Sequence, residues 1–388
     1  MPHWLFSDEH EMFRKSVRKF VEKEIAPFVE DWEEAGEIPR SLFRRTGENG
    51  YLGLKYPEEY GGAGDYLAEA VFLEELGRCG AGGPVAALGA HAEMATPLIN
   101  LLGTEEQKER YLKPAIQGQK IAALGITEPE AGSDPAAIQT TAVRDGDQYV
   151  VNGRKIFITN GVNCDYVVLA VKTSPHGQAD LKSGHRGISL LLVEKGTPGF
   201  TVKCKLDKLG WRSSDTGELI FEDCRVPVEN LLGKENRGFF YIMANLQWVR
   251  ITLALGAVAG AGLALETAQK YASQRVQFGR PLTGFQATRH KLAEMAAKIE
   301  AARELAYHAL DLHVRGVESV MEASMAKLYA TEVYSWVADN VVQIHGGYGY
   351  MMEYPAQRLW RDARLSTIGG GTSEVMREII AGRMGLNS

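Results

Sequence analysis

The chain has 388 residues, 45% of them hydrophobic and 24% charged, with a formal net charge of −6. That length exceeds what one core supports, so two or three regions are expected, and the composition excludes a disordered chain. The acidic balance, with no dense run of Lys and Arg, gives no electrostatic footprint for nucleic acid, although a local basic site for an anionic ligand stays compatible with it.

Residues 1–120 read as helical. Asp8, Glu9 and Glu11 precede any apolar stretch, unlike a signal or transit peptide. Ser7 is placed to cap a first helix whose apolar face carries Phe13, Val17, Phe20 and Val21. Pro27 and Pro39 punctuate, Gly61-Gly62-Ala63-Gly64 forms a loop, and helical spacing resumes over Tyr66 to Leu76. Thr104-Glu-Glu-Gln107 reads as a capping box.

From Ile121 the texture changes to short β-like runs separated by Gly, Pro and Ser. Asn152-Gly153, between Tyr149-Val-Val and Lys155-Ile-Phe-Ile, reads as a hairpin turn, and Asp145-Gly146 as another turn. With further runs at Tyr166–Val171, Gly187–Val193, Phe200–Cys204 and Glu218–Phe221, an antiparallel barrel or sandwich is expected, closed by Pro227. From Gly233 helix returns: Phe239–Arg275, a stretch stepping from Leu292 to Leu312, another from Met325 to Ile344, and Ser373–Met384, hence a bundle of about four helices. The apolar run Ile251 to Leu265 spans 15 residues, too short for a bilayer. Its Gly256-Ala-Val-Ala-Gly260 spacing suits close helix approach. Cys79, Cys164, Cys204 and Cys224 lack CxxC spacing, which argues against zinc or a disulfide framework and for a reducing, cytoplasmic setting.

Five segments carry possible chemistry. Thr127-Glu-Pro-Glu-Ala-Gly-Ser-Asp134 ends an apolar β-like run and could bring backbone N–H groups and hydroxyls to a planar ligand. Phe157-Ile-Thr-Asn-Gly161 offers an aromatic face beside a hydroxyl. Arg275-Val-Gln-Phe-Gly-Arg280, with Phe285-Gln286, could clamp a phosphate and cover a base. Gln343-Ile-His-Gly-Gly-Tyr-Gly-Tyr350 and Gly369-Gly-Gly-Thr-Ser-Glu374 are amide-rich loops at helix ends. Alone, the first reads equally as a polar turn, and the second and third read more readily as a strand running into a turn and an exposed helix–helix turn. His345 has no companion at ligand spacing, so a structural role is preferred over a metal. Neither glycine loop matches a Rossmann fingerprint or a P-loop.

Their order and joint occurrence, with the Tyr60-Gly-Gly loop and Arg361-Asp-Ala-Arg364, resemble the acyl-CoA dehydrogenase family over essentially the whole chain. The resemblance implies an α+β multi-region fold: an N-terminal all-α domain (1–120), a central antiparallel β-barrel (121–232) and a C-terminal four-helix bundle (233–388). It also implies FAD. Leu124, Ile126, Thr127, Gly132 and Ser133 would line the flavin, and Phe157 and Thr159 would pack on and bond its ring. Arg275, Phe278 and Gln286, with Gln343, Gly346 and Gly347, would come from a neighbouring subunit of a homotetramer. Thr372 and Glu374 would touch FAD near the last helix. An acyl-CoA substrate would meet Ser133, Gln247, Arg250 and Gly371, with electron-transfer flavoprotein as the acceptor.

The family's reaction removes a proton from Cα while flavin N5 takes hydride from Cβ, and a carboxylate serves as base. The family places that Glu at one of two positions, and here they hold Val249 and Gly370. Neither can take a proton. Three readings follow: a chain inactivated by Glu replacement, recruitment of Glu353, Glu374 or Glu93, or a flavoprotein that binds acyl-CoA and performs base-free chemistry or no dehydrogenation.

Overall fold

The computed structural model describes residues 3–174 and 187–386. The N-terminal part is helical: α1 (Asp8–Glu24), α2 (Val29–Ala35), α3 (Arg40–Glu48), α4 (Tyr66–Leu76), α5 (Gly82–Gly89), α6 (Thr96–Leu102), α7 (Glu105–Gln107) and α8 (Lys113–Ile116). Both expected caps are present. Ser7 accepts from the His10 amide while the His10 ring bonds back, and Thr104 and Gln107 exchange the same pair of bonds. The α5 and α6 segments run into one another through a π-helical stretch, Ala90–Ala95. Such widened turns often sit at functional sites, because one extra residue re-aims the side chains that follow.

The middle of the chain forms β1 (Ala122–Gly125), β2 (Thr141–Asp145), β3 (Gln148–Thr159), β4 (Tyr166–Lys172), β5 (Ile188–Glu194), β6 (Phe200–Lys205), β7 (Thr216–Pro227) and β8 (Leu231–Leu232). The expected antiparallel barrel is not what forms. The sheet runs β6-β7-β3-β2-β4-β5-β8, with β1 parallel beside β4. Its outermost strands do not pair with each other, so it is open, and it is mixed rather than antiparallel. A two-residue β8 offers too little backbone to close a barrel, and the sheet is instead covered by helices. Ile242 joins β1, β4 and β5 residues in one apolar cluster.

Asn152-Gly153 is not a turn. β3 continues through it as a bulge against β7, with a register shift between Val151 and Gly153. Long-range pairing overrides the local signal there, and the glycine is needed because a Cβ would stand 2.4 Å from Thr140 Oγ1. The hairpin turn is at Asp145-Gly146, where Gly146 has φ +64°.

The C-terminal part holds α9 (Gly238–Gln274), α10 (Gln286–Val314), α11 (Val320–His345), α12 (Pro355–Ser366) and α13 (Ser373–Arg383), five helices instead of four; a two-strand ribbon, β9 (Val276–Gln277) with β10 (Arg280–Pro281), joins the first two. By length and composition α9 could cross a membrane, but 78% of its most apolar window is buried within the protein, as a core helix requires. The close-approach reading of its small residues holds at Gly260, where a Cβ would meet the Tyr334 ring at 2.8 Å, and at Ala259, which a Cβ on Gly77 would meet at 2.9 Å, but not at Gly256, where no atom lies within 4 Å of a Cβ.

Candidate active site

A largely apolar cavity of about 130 Å³ lies between α4, the α5–π segment and α9. Helical period dictates which residues face it. From α9 come Val249, Leu253, Gly256 and Gly260, and from the facing segment Gly82, Ala86, Gly89 and Glu93. The two helices run past each other in a fixed sense. Asn245 donates to the carbonyls of Glu93 and Met94, so Glu93 lies at the Val249 end. Gly82 lies at the far end, beside Trp211, Tyr334 and Asp362, because its amide donates to Asp362 at 2.7 Å.

Val249 is 2% exposed and points into the cavity. Gly370 has φ +66°, and a Cβ built on it would stand 3.9 Å from Val249 Cγ1. The two positions at which the resemblance expects a base therefore open onto one spot. Of the three carboxylates considered as substitutes, Glu353 and Glu374 are exposed, and only Glu93 lines the cavity.

Glu93 belongs to a buried charged group that no local pattern signals. Lys55 Nζ lies 2.8 Å from Glu93 and 3.5 Å from Glu69, and Trp248 Nε1 donates to the other Glu93 oxygen at 2.5 Å. Burial, together with the Glu93 carboxylate, pushes Glu69 well above the usual carboxylate range. At the far end Asp362 accepts from the Trp211 and Gly82 amides, yet burial still raises it to about 6. On the other side of Val249, burial and the nearby Arg250 lower Lys327 to about 8, while its ammonium holds the Gly371 carbonyl at 2.6 Å. Arg250 is buried, and its Nε has no partner among the described residues. Gln247 sits half-buried one turn earlier.

Of the nominated β-region residues, one reaches the cavity. Thr159, the last residue of β3, lines it. Leu124 is on β1, and the Ile126 and Thr127 carbonyls that follow are held by Lys155 Nζ at 3.0 Å and the Ile156 amide at 2.9 Å. Lys155 is buried against Glu128 at 2.7 Å, which fixes this corner. Phe157 has φ +60° and is 66% exposed, turned outward by a second bulge in β3. Gly132 and Ser133 are exposed on the loop beyond. Positive φ at a large non-glycine residue costs energy and marks a side chain presented for use. Phe278, at φ +50° and 93% exposed, is the second such aromatic.

Phe278 is not in this cavity. Arg275, Gly346 and Gly347 line a separate open groove with Tyr271 and Tyr348. The Arg275 guanidinium lies 5.4 Å over the Tyr348 ring. Gln343 and Gln286 are exposed, the latter 3.3 Å from His290. His345 is structural, with Nδ1 bonded to the Val341 carbonyl and its ring stacked on Tyr271. Within one chain the nominated residues thus form two sites. Thr372 caps α13, Glu374 follows on its first turn, and the buried Ser373 Oγ there has no partner. Trp211, Tyr334 and Asp362 were not foreseen; the positive φ of Trp211, +53°, marks it only once the backbone is known.

Comparison with known proteins accounts for the whole chain. Family models for the acyl-CoA dehydrogenase N-terminal, middle and C-terminal domains match residues 7–119, 123–224 and 236–385. The chain is 42% identical over 97% of its length to a mitochondrial long-chain specific acyl-CoA dehydrogenase of Rattus norvegicus, covering 86% of that protein. It is 43% identical over 97% of its length to a short-chain specific acyl-CoA dehydrogenase of Clostridium acetobutylicum, covering 98% of it. A crystal structure of an acyl-CoA dehydrogenase from Geobacillus kaustophilus superposes with a TM-score of 0.95 at 45% identity, covering 99% of this chain and 100% of that one. The chain belongs to the acyl-CoA dehydrogenase family of FAD-dependent oxidoreductases.

Proposed function

We propose that the protein binds FAD and an acyl-CoA thioester in a site shaped for α,β-desaturation but lacking its general base. The observation that carries this reading is the meeting of Val249, on the cavity wall, with Gly370, whose Cβ would stand 3.9 Å from Val249 Cγ1, with no carboxylate on either. The residues fit the cofactor. Thr159 lines the cavity, Lys155 and the Ile156 amide hold the Ile126 and Thr127 carbonyls, Ser373 Oγ is buried at a helix N-terminus without a partner among the described residues, and Gly132, Gly346 and Gly347 would have no atom within 4 Å of a Cβ, leaving their backbones approachable. Bound there, FAD supplies the acceptor for a hydride from the substrate's Cβ.

The chain's own residues bind, orient and exclude water. Lys327 holds the Gly371 carbonyl, which sets the attitude of the Gly370–Gly371 amides toward a thioester carbonyl. Arg250, Gln247 and Ser133 are assigned to the CoA side of that thioester. Glu93 is a poor substitute base, since each of its oxygens already accepts a hydrogen bond, from Lys55 and from Trp248. Proton removal from Cα is the step this chain leaves without a dedicated group.

The second groove is assigned to the far half of a neighbouring subunit's FAD in a homotetramer, with Phe278 and Arg275 reaching across. Electron-transfer flavoprotein is the proposed acceptor. The competing reading, a flavoprotein that binds acyl-CoA without desaturating it, is favoured by the same missing carboxylate. Anaerobic mixing with acyl-CoA separates the two, because only a dehydrogenase bleaches its flavin. The purified protein is expected to be yellow with stoichiometric FAD; a colourless preparation that rejects added FAD refutes the flavin assignment.

A further inference from the structure

Chain length is the property that the relatives leave open, and the cavity addresses it, given the acyl-CoA reading above. On α9 the lining face runs from Val249 to Gly260, eleven residues apart, or ~16 Å at the α-helical rise. An extended chain advances ~1.2 Å per bond, so that length spans about 13 bonds.

Glycines make this space, and they divide into two kinds. A Cβ on Gly82 would collide with the Trp211 ring at 2.1 Å, and one on Gly260 with Tyr334 at 2.8 Å, so packing requires both. Gly89 and Gly256 are different. Both are helical, neither has positive φ, and no atom lies within 4 Å of where a Cβ would stand. Glycine within a helix is less favourable than alanine, and neither backbone conformation nor packing asks for it here. What the two residues do is keep the middle of the cavity open, one from each facing helix.

We propose that Gly89 and Gly256 are specificity-determining residues that admit an unbranched acyl chain of up to about thirteen carbons. Gly256 lies seven residues, or ~10 Å, along α9 from Val249, so a side chain there truncates the cavity after roughly eight bonds.

The test is a titration of the FAD-loaded protein with straight-chain acyl-CoAs from C4 to C16, read as the shift in flavin absorbance, which needs no turnover. For the wild type, affinity should rise about fourfold per methylene and level off between C10 and C14. Gly256→Leu should level off near C8 and lose about 100-fold at C12, with C4 within about twofold of wild type. Gly89→Leu should act in the same direction. Gly256→Ala, which adds one methyl to open space, reports folding and should show a smaller shift. A wild type with no gain beyond C4, or a folded Gly256→Leu with an unchanged profile, overturns the proposal while leaving the acyl-CoA reading intact. No response to any chain in a yellow wild type removes that reading, and this one with it.

Discussion

Restoring a carboxylate at Val249 is the sharpest test of the site. Val249→Glu keeps a helical backbone, and its two extra heavy atoms point toward the space that Gly370 leaves beside Val249 Cγ1. At 2% exposure the new carboxylate is desolvated, which raises its pKa toward the range of a useful base. A positioned base is worth ~10²–10⁴-fold, so flavin bleaching by a bound acyl-CoA should quicken by at least ~10². The alternative position is worse. Gly370→Glu must hold φ +66°, costing about 1–2 kcal/mol, and its Cβ would press on Leu253 Cδ1 at 2.3 Å. It should therefore give a smaller gain in a less stable protein. The assay is anaerobic stopped-flow at saturating acyl-CoA, with Val249→Gln as the control that has the shape but no basicity. A Val249→Glu protein that binds acyl-CoA yet bleaches no faster than wild type, or a Val249→Gln protein that gains as much, refutes the missing-base reading.

Three further outcomes are expected. Glu128→Ala strands the buried Lys155 ammonium and leaves the Gln139 and Thr140 amides without their acceptor, so it should cost about 3–5 kcal/mol in denaturant melts and weaken FAD retention through the Ile126–Thr127 corner. His91 is buried as a neutral ring, accepting from the Ala122 amide at Nδ1 and donating to the Ala115 carbonyl from Nε2, and burial lowers it to about 4. The unfolded chain, with an ordinary histidine, binds more protons between those values, so stability is complete above pH 6.5 and is lost as pH falls; roughly 2 kcal/mol should go between pH 7 and pH 5, and His91→Gln should flatten that slope in melts at the two pH values. Thr104→Ala removes a capping box and should lower stability by about 1 kcal/mol without changing the flavin spectrum.

Local chemistry was the legible part of the chain. The Ser7 and Thr104 caps, the Asp145-Gly146 turn and the apolar faces of α1, α10 and α11 follow from neighbours a few residues apart, and they form as read. The misreadings arise where distant pairing decides. Asn152-Gly153 lies inside a strand because β7 and Thr140 hold it there, and the sheet stays open because its last strand is only two residues long. Helix α12 escaped notice because its buried face, Ala356, Leu359 and Ala363, holds one large apolar side chain. For the site, the Val249 and Gly370 positions came from family likeness, and the structure adds that they meet. The Lys55–Glu69–Glu93–Trp248 group joins four stretches of chain, and no spacing rule announces such a meeting.

Asp362 has a consequence beyond its two hydrogen bonds. It stands on a C-terminal helix and takes one amide from the N-terminal helices, at Gly82, and one from the β region, at Trp211. Any of the three parts that drifts away leaves a buried carboxylate short of a donor, so the penalty for separation is shared among them. The Gly82 end of the cavity is thus a three-way joint. How deep a chain can reach is governed by how tightly the parts of the protein are seated on one another, as much as by the side chains along the wall.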